Sequence, residues 1–88
     1  MEIHQKKIIQ PYFDLVRYGV KTFEIRKNDC DYQAGDIIIL TEFDKQNKQE
    51  FYNEITVLIK YVLKDYEFIG ITKGYCVLGI EVLKDGRT

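Results

Sequence analysis

Three charged side chains between Gly19 and Asp29 stand at a spacing that suits ligand binding. Lys21 precedes Glu24 and Arg26, and the last two, at i and i+2 of a predicted strand, share one face. Such neighbours lie about 6 to 7 Å apart, so the arginine can orient the carboxylate and keep donors for an anion or a base edge. The alternative is a solvated strand face whose ion pair contributes under about 1 kcal/mol. Spacing alone favours the solvated face.

The elements that position these residues can be predicted from hydrophobic periodicity. Residues 21–27 alternate, with Phe23 and Ile25 opposite the charged pair, which is typical of a half-buried strand with its apolar face toward the core. Ahead of it, the segment 11–19 predicts a short helix, because proline suits the first helical turn and glycine the position after the last. A helix this short must be held against another element.

Four further strands complete the predicted order, β-α-β-β-β-β. They cover about Ile3–Ile9, 37–43, 51–63 and 76–83, and the middle two form a long hairpin. The segment 64–73 leaves room for a second short helix. Two of the strands show a clear apolar face, with Ile55, Val57, Ile59, Tyr61 and Leu63 in the third of these strands and Cys76, Leu78, Ile80 and Val82 in the last.

The predicted fold is a single domain over residues 1–88, mostly β with one or two short helices (α+β). Five strands in so short a chain leave exposed edges, and curling the sheet into a small barrel removes them. We expect a closed or nearly closed barrel with the helix plugging one end. The alternative is a flat α+β sheet with the helix on one side.

Composition excludes several classes of protein. The chain has 88 residues, 45% of them hydrophobic, and no apolar run of the roughly 18 to 20 residues that a membrane span needs. Its first residues lack the apolar stretch of a signal peptide, so we expect a cytoplasmic protein that does not bind membranes. Two cysteines without CxxC spacing and a single histidine favour free thiols and predict neither a metal nor another cofactor.

Charge points to a local binding site. The net charge is −1, too small for bulk attraction to a phosphate backbone. Residues 1–30 contain six basic and four acidic side chains, whereas residues 31–69 contain four basic and eight acidic ones. Any nucleic-acid site should therefore be a patch built from the first third of the chain.

A resemblance to a known family strengthens the functional reading of the charged segment. Gly19-x-Lys21-x-x-Glu24-x-Arg26 resembles the GxKxxExR signature of the ASCH (activating signal cointegrator homology) domain, a small β-barrel of the PUA-like superfamily. Other stretches extend the likeness toward a small bacterial and phage branch whose role is uncharacterised. They are His4-x-x-Lys7-Ile8, Pro11-Tyr12-Phe13, Lys27-Asn28-Asp29, Tyr32-Gln33-x-Gly35-Asp36 and Gly74-Tyr75-x-Val77-Leu78-Gly79-Ile80.

The resemblance implies RNA binding, because ASCH domains are proposed to bind RNA in a cleft beside the helix. The cleft would lie between the helix and the signature strand, and the partner would be RNA or a nucleotide-like ligand. Lys21 would meet a phosphate, Arg26 would supply a planar set of donors, and Glu24 would accept from a base amino group. We expect an unpaired, looped or modified nucleotide to be preferred over a duplex, and the protein to be a monomer.

Six more residues are candidates for this cleft. A tyrosine ring exposed there could stack on a base, although each tyrosine could also pack on the core. The histidine and lysine of the first strand could point into the cleft, but a lone histidine is more often at the surface or paired within the fold. The asparagine could rim the cleft or simply make a turn. The candidates are Tyr12, Tyr32, Tyr75, His4, Lys7 and Asn28.

Two other functions stay open. Some ASCH-like proteins resemble acetylcytidine amidohydrolases, which use a lysine, a threonine and a distant glutamate. Lys21 matches that lysine, but Glu24 occupies the threonine position and Thr22 lies two residues earlier. We therefore expect no catalytic residue and a binding protein rather than an enzyme. The third possibility is a small-ligand or protein-interaction domain, which complete internal pairing of Glu24 and Arg26 would favour.

Overall fold

The computed structural model describes residues 1–86, and more than half of them lie in strands. The elements in chain order are β1 (Ile3–Ile9), α1 (Tyr12–Arg17), β2 (Phe23–Lys27), β3 (Ile37–Asp44), β4 (Gln49–Lys64), a 3-10 helix (Asp65–Glu67) and β5 (Tyr75–Asp85). The mostly β class and the predicted order are confirmed. No helix in the described residues is long and apolar enough to cross a bilayer.

The five strands form one sheet in the order β1-β3-β4-β5-β2. β1 runs parallel to β3, and the other neighbouring pairs are antiparallel. The sheet curls into a half-barrel, which brings its edge strands β1 and β2 toward each other. Across the gap, Nη2 of Arg26 donates to the carbonyl oxygen of Lys7 at 3.0 Å. We call this gap the seam, and the curl agrees with the predicted barrel rather than with a flat sheet.

The core lies between the inner face of the sheet and α1. Side chains along a strand point alternately to its two faces, which explains why alternate residues are buried in one part of each of β3, β4 and β5. α1 has six residues, too few to persist alone, and Phe13 and Val16 hold it on the sheet. Burial of each contributes about 1.5 to 3 kcal/mol. The strand residues of this core are Ile8, Ile38, Leu40, Ile55, Val57, Ile59, Cys76, Leu78 and Ile80.

β2 presents the opposite face to the one predicted. Ile25 is 60% exposed and Phe23 is also exposed, whereas Glu24 is 5% exposed. The register with β5 gives the reason, because Glu24 lies opposite Leu78 and residues directly paired across two strands point to the same face. Leu78 is buried, so Glu24 and Arg26 face the interior of the half-barrel.

The predicted apolar face of β4 changes side within the strand. Its first three members are buried as predicted, but Tyr61 is exposed. Ile59 pairs with Ile80 and Tyr61 with Gly79, so β4 contains one extra residue at this point. Such a bulge shifts the alternation by one residue. As a result, Val62 packs against the core in place of Tyr61.

Candidate ligand-binding site

Lys21, Glu24 and Arg26 meet in the folded chain. The Glu24 carboxylate is buried on the inner face of β2, where Oε1 accepts from Nη2 of Arg26 at 3.0 Å and Oε2 accepts from Nζ of Lys21. Both cations are themselves largely buried. A carboxylate removed from water needs such partners, because burial of an unpaired charge is costly. We call these three residues the signature cluster.

The signature cluster keeps unused donors. Two cations and one carboxylate leave it a formal charge of +1. Nζ of Lys21 also donates to the carbonyl oxygen of Phe23 at 2.8 Å, and Nε of Arg26 is buried without a hydrogen-bond partner among residues 1–86. Each oxygen of Glu24 accepts from one cation, and the carboxylate is buried, so Glu24 is placed to orient Lys21 and Arg26. The cluster suits a ligand that presents acceptor atoms.

A pocket of about 510 Å³ opens beside the cluster, along the seam. Its volume lies in the range of small-molecule sites. The pocket lies between α1 and β2, where the cleft was predicted, and residues of β1 line its opposite side. We call it the seam pocket, and its lining consists of Lys7, Ile8, Ile9, Tyr12, Lys21, Phe23, Glu24, Ile25 and Arg26.

Two exposed aromatic rings flank the ammonium of Lys21. Its Nζ lies 4.9 Å from the ring centre of Phe23 and 5.5 Å from that of Tyr12. Tyr12 is one of the predicted site residues. Phe23 is not, because strand periodicity assigned it to the core. Because β2 turns its apolar side chains away from the core, the ring of Phe23 lines the pocket instead.

His4 does not line the seam pocket. Its Nε2 lies 2.9 Å from Oδ2 of Asp36, and its ring centre lies 4.8 Å from that of Tyr32. The backbone N–H of Glu2 and the His4 side chain lower the pKa of the Asp36 carboxyl. Both partners of this pair are buried as side chains. His4 therefore has a structural role, which is the alternative that the sequence left open.

Lys6 and Lys7 point in opposite directions. Lys7, a predicted site residue, lines the seam pocket but holds its ammonium outside, 3.8 Å from a carboxylate oxygen of Glu50. Lys6, which the motif does not include, points inward, and its Nζ donates to Sγ of Cys30 at 2.9 Å. This hydrogen bond raises the pKa of Lys6. Strand alternation with the buried Ile8 is the signal that identifies Lys6 as the inward lysine.

The remaining predicted residues lie away from the seam pocket. Tyr32 is 1% exposed and belongs to the core, and burial raises its pKa to about 12. Tyr75 borders a separate pocket on the outer face of the sheet. Asn28 follows β2, and its backbone N–H donates to the carbonyl oxygen of Gly74 at 2.8 Å, as in a turn. Of the three predicted tyrosines, Tyr12 alone is placed to stack on a ligand in the seam pocket.

Both cysteines carry free thiols, as predicted. Cys30 donates to Oδ1 of Asp29 at 3.1 Å. Cys76 lies on the inner face of β5, where burial raises the pKa of its thiol. Within residues 1–86, no group of three or more His, Cys, Asp or Glu side chains is arranged to hold a metal ion.

Comparison with known proteins identifies relatives without a described role. A family model described as a domain of unknown function (DUF3850) matches residues 3–80. The chain is also similar to an uncharacterized 12.9 kDa protein in the GpA 3' region of Escherichia phage P2, with 48% identity over 42 residues. The matched segment is 48% of this chain and 38% of that relative, so the chain spans well under half of the relative's length.

A solved structure shares the fold. The crystal structure of the hypothetical protein PH0355 superposes with a TM-score of 0.58, covering 94% of this chain and 100% of the other. The two sequences are 19% identical. At that identity the likeness establishes the common architecture and carries no information about ligands.

Proposed function

Because the chain belongs to the DUF3850 family, whose description assigns no ligand, we propose from the pocket itself that the protein binds an unpaired or modified nucleotide of RNA. The observation that carries the proposal is the arrangement of Lys21 and Arg26, which Glu24 holds side by side at the edge of a nucleoside-sized pocket that two exposed rings help to line. Binding would use stacking and a few polar contacts instead of bulk charge.

The rings of Tyr12 and Phe23 support the stacking part of the proposal. Each base that stacks on an aromatic side chain gains about 1 to 3 kcal/mol, with little dependence on sequence. Stacking requires a base that is not paired in a duplex, since the faces of paired bases are covered by their neighbours. The proposed ligand is therefore single-stranded, looped or at a strand end.

The donors of the signature cluster support recognition of an acceptor edge. Lys21 and Arg26 carry more hydrogen-bond donors than the cluster uses, and each oxygen of the buried Glu24 already accepts from one of them. Carbonyl oxygens, ring nitrogens and phosphate oxygens match this pattern. A base edge made of amino groups does not match it.

The net charge supports weak binding with few phosphate contacts. Each phosphate neutralised on a single strand contributes about −0.7 to the slope of log K against log salt. A chain of net charge −1 with one small basic patch should neutralise only about one or two phosphates, and the slope of log K against log salt should be correspondingly shallow.

We also propose that this family member is related to ASCH domains of the PUA-like superfamily. The GxKxxExR pattern supports this relation, since its lysine, glutamate and arginine come together in one cluster. The curled half-barrel supports it as well. An amidohydrolase of the related kind is disfavoured, because Lys21 is ion-paired to the residue that occupies the threonine position.

The test is a binding titration with fluorescent single-stranded RNA of randomised sequence at low salt, read by anisotropy. We expect Tyr12→Ala, Lys21→Ala and Arg26→Ala each to weaken binding by about fivefold or more, the loss that a stacked base or a charge-assisted hydrogen bond predicts. Matched controls are Lys45→Ala and Lys48→Ala in the exposed turn between β3 and β4, which should bind like the parent protein.

Two outcomes would contradict the proposal. Equal losses in the pocket and turn variants would show that the seam pocket is not the site, and no measurable complex would favour a small-ligand or protein-interaction domain. Tyr12 is at the surface, so its variant keeps the test valid if the Arg26 variant fails to fold. Thermal melts of all variants identify such a failure.

A further inference from the structure

A second pocket, of about 560 Å³, lies on the other side of Lys21 from the seam pocket. It is bounded by the end of α1, by the residues that lead into β2, by Lys60 of β4 and by residues 79–82 of β5. Lys21 lines both pockets and is the one residue that they share. We call this second pocket the helix-end pocket.

The helix-end pocket contains a buried arginine with unused hydrogen-bond donors. Arg17 is 8% exposed, and its Nη2 donates to the hydroxyl of Tyr18 and lies 3.3 Å from Oδ1 of Asp14. Its Nε lies 3.8 Å from Oδ2 of Asp85. Within residues 1–86, neither Nε nor Nη1 has a hydrogen-bond partner. Buried polar groups without protein partners are rare in folded proteins, and such groups can hold a water, an ion or a ligand.

The helix-end pocket offers hydrogen-bond donors, although each cation in its lining also has a carboxylate partner. Arg17 lies near Asp14 and Asp85, Lys21 is paired with Glu24, and Lys60 lies near Glu81. Three cations line it, Arg17, Lys21 and Lys60, together with one carboxylate, that of Glu81. Glu81 lies 3.5 Å from Nζ of Lys60, and both of these side chains are exposed at the rim. The hydroxyl group of Thr22, also in the lining, adds a neutral donor.

We propose that the helix-end pocket binds a phosphate group through the guanidinium of Arg17. A phosphate oxygen that accepts from the unused Nε or Nη1 of Arg17 forms a charge-assisted hydrogen bond, which is among the stronger polar contacts in proteins. The phosphate belongs either to the RNA strand whose base occupies the seam pocket or to a free anion. If the phosphate belongs to an RNA strand, this inference rests on the proposed function.

The Tyr18 ring lies against the Arg17 guanidinium. Its ring centre lies 4.3 Å from Cζ of Arg17, and the ring itself is exposed to solvent. The ring therefore covers one face of the guanidinium. A phosphate that binds Arg17 changes the surroundings of this ring, so the Tyr18 ring signals report on binding.

The first experiment is an NMR titration of the full chain with inorganic phosphate at low salt. We expect saturable shifts of the Arg17 Nε–H signal, the Tyr18 ring and the backbone amide of Thr22. Arg17→Lys keeps the charge and removes the guanidinium donors, and should weaken binding about tenfold, as expected for loss of a charge-assisted hydrogen bond. Lys84→Gln, an exposed lysine of β5 outside both pockets, is the matched control and should leave binding unchanged.

The second experiment distinguishes the two sources of phosphate. Uridine, uridine 5′-monophosphate and a 5′-phosphorylated uridine dinucleotide are compared, with adenosine analogues in parallel. If the phosphate belongs to the strand, the dinucleotide binds more tightly than the nucleoside, and Arg17→Lys removes that advantage without changing nucleoside binding. If inorganic phosphate binds at Arg17 while no nucleoside binds, the site takes a free anion and the proposed function is wrong.

The inference is overturned if phosphate causes no saturable shift at Arg17, Tyr18 or Thr22, or if Arg17→Lys and Lys84→Gln bind phosphate equally well. Nucleoside binding at the seam pocket would be unaffected by that result, so the two failures can be told apart. If Arg17→Lys does not fold, Lys60→Gln replaces it, because Lys60 lines the same pocket and is exposed. Phosphate binding that is unchanged in Lys60→Gln would then contradict the proposal.

Discussion

The inner face of the sheet has two contrasting regions. Along β3, β4 and β5, each of which has a strand on both sides, the residues of the core are apolar and most are fully buried. Along β1 and β2, which border the seam, most inward positions carry polar or charged side chains, and Ile8 is the apolar exception. We call the first region the wall. The inward polar residues at the seam are His4, Lys6, Glu24 and Arg26.

The contrast shows what an unpaired strand edge permits. Inside the wall, the backbone N–H and C=O groups form hydrogen bonds with the neighbouring strands, so the side chains only need to pack. At the seam, the side chain of Arg26 donates to a β1 carbonyl, and the signature cluster supplies the other charge partners. Charged residues can thus occupy inward positions where the sheet does not close, and the seam pocket opens beside them.

The largest effect should come from the wall. Ile38→Ala in β3 removes a fully buried side chain and leaves a cavity, so we expect a loss of about 2 to 5 kcal/mol in the free energy of unfolding. Urea denaturation followed by circular dichroism measures it. A loss below about 1 kcal/mol, well under the range expected for a buried isoleucine, would mean that the wall is not the main source of stability.

A smaller loss should follow from breaking the signature cluster. Glu24→Gln leaves Lys21 and Arg26 without their shared carboxylate, and because both cations keep some contact with water we expect about 1 to 3 kcal/mol. The control is Glu50→Gln, which removes the exposed partner of Lys7 and should change stability by less than about 0.5 kcal/mol. Equal effects of the two substitutions in urea denaturation would remove the distinction between a buried cluster and a surface pair.

A pH-dependent effect should come from the buried pair of Asp36 and His4, which joins β1 to the residue before β3. The backbone N–H of Glu2, then His4, lower the pKa of Asp36 below its ordinary value of 3.8, so the folded state holds this proton less tightly than the unfolded state. Its contribution is therefore complete above pH 3.8 and is lost as the pH falls through the lower folded value. Urea midpoints measured from neutral to acid pH should fall less steeply in Asp36→Asn. Identical slopes in both proteins would contradict this assignment.

The smallest effect should come from the outer face of β2. Ile25→Ala matches the wall substitution in chemistry, but Ile25 is largely exposed, so we expect a change within about 1 kcal/mol, the span of strand propensities. The two variants are compared in the same urea denaturation series. A loss as large as that of Ile38→Ala would mean that β2 turns its apolar face inward, as the sequence alone predicts.

Most of the fold could be predicted from periodicity, because alternation and turn residues are local signals. The bounds of β1, the short helix that follows Pro11, the long hairpin and the burial of Cys76, Leu78 and Ile80 in β5 are as predicted. The inward face of β2 could not be predicted, because alternation defines two faces without saying which one meets the core. The pairing of Glu24 with Leu78 decides it, and these residues are distant in sequence.

The candidate site could be predicted in part for the same reason. Lys21, Glu24 and Arg26 lie close together in the chain, and the GxKxxExR pattern was sufficient to select them. His4 lies inward but is bound by Asp36, a partner 32 residues later that no local pattern links to it. Phe23 was missed because an apolar residue in a strand is assigned to the core until its neighbours are known.

The strand order has a consequence for how the protein is made. β3, β4 and β5 are neighbours both along the chain and in the sheet, whereas β1 and β2 join it through partners distant in sequence. Contacts between distant segments form late in folding, since closing long loops is entropically unfavourable. During synthesis, β2 cannot dock until β5 has left the ribosome. A nascent chain should therefore form the seam pocket only after β3, β4 and β5 have paired with one another.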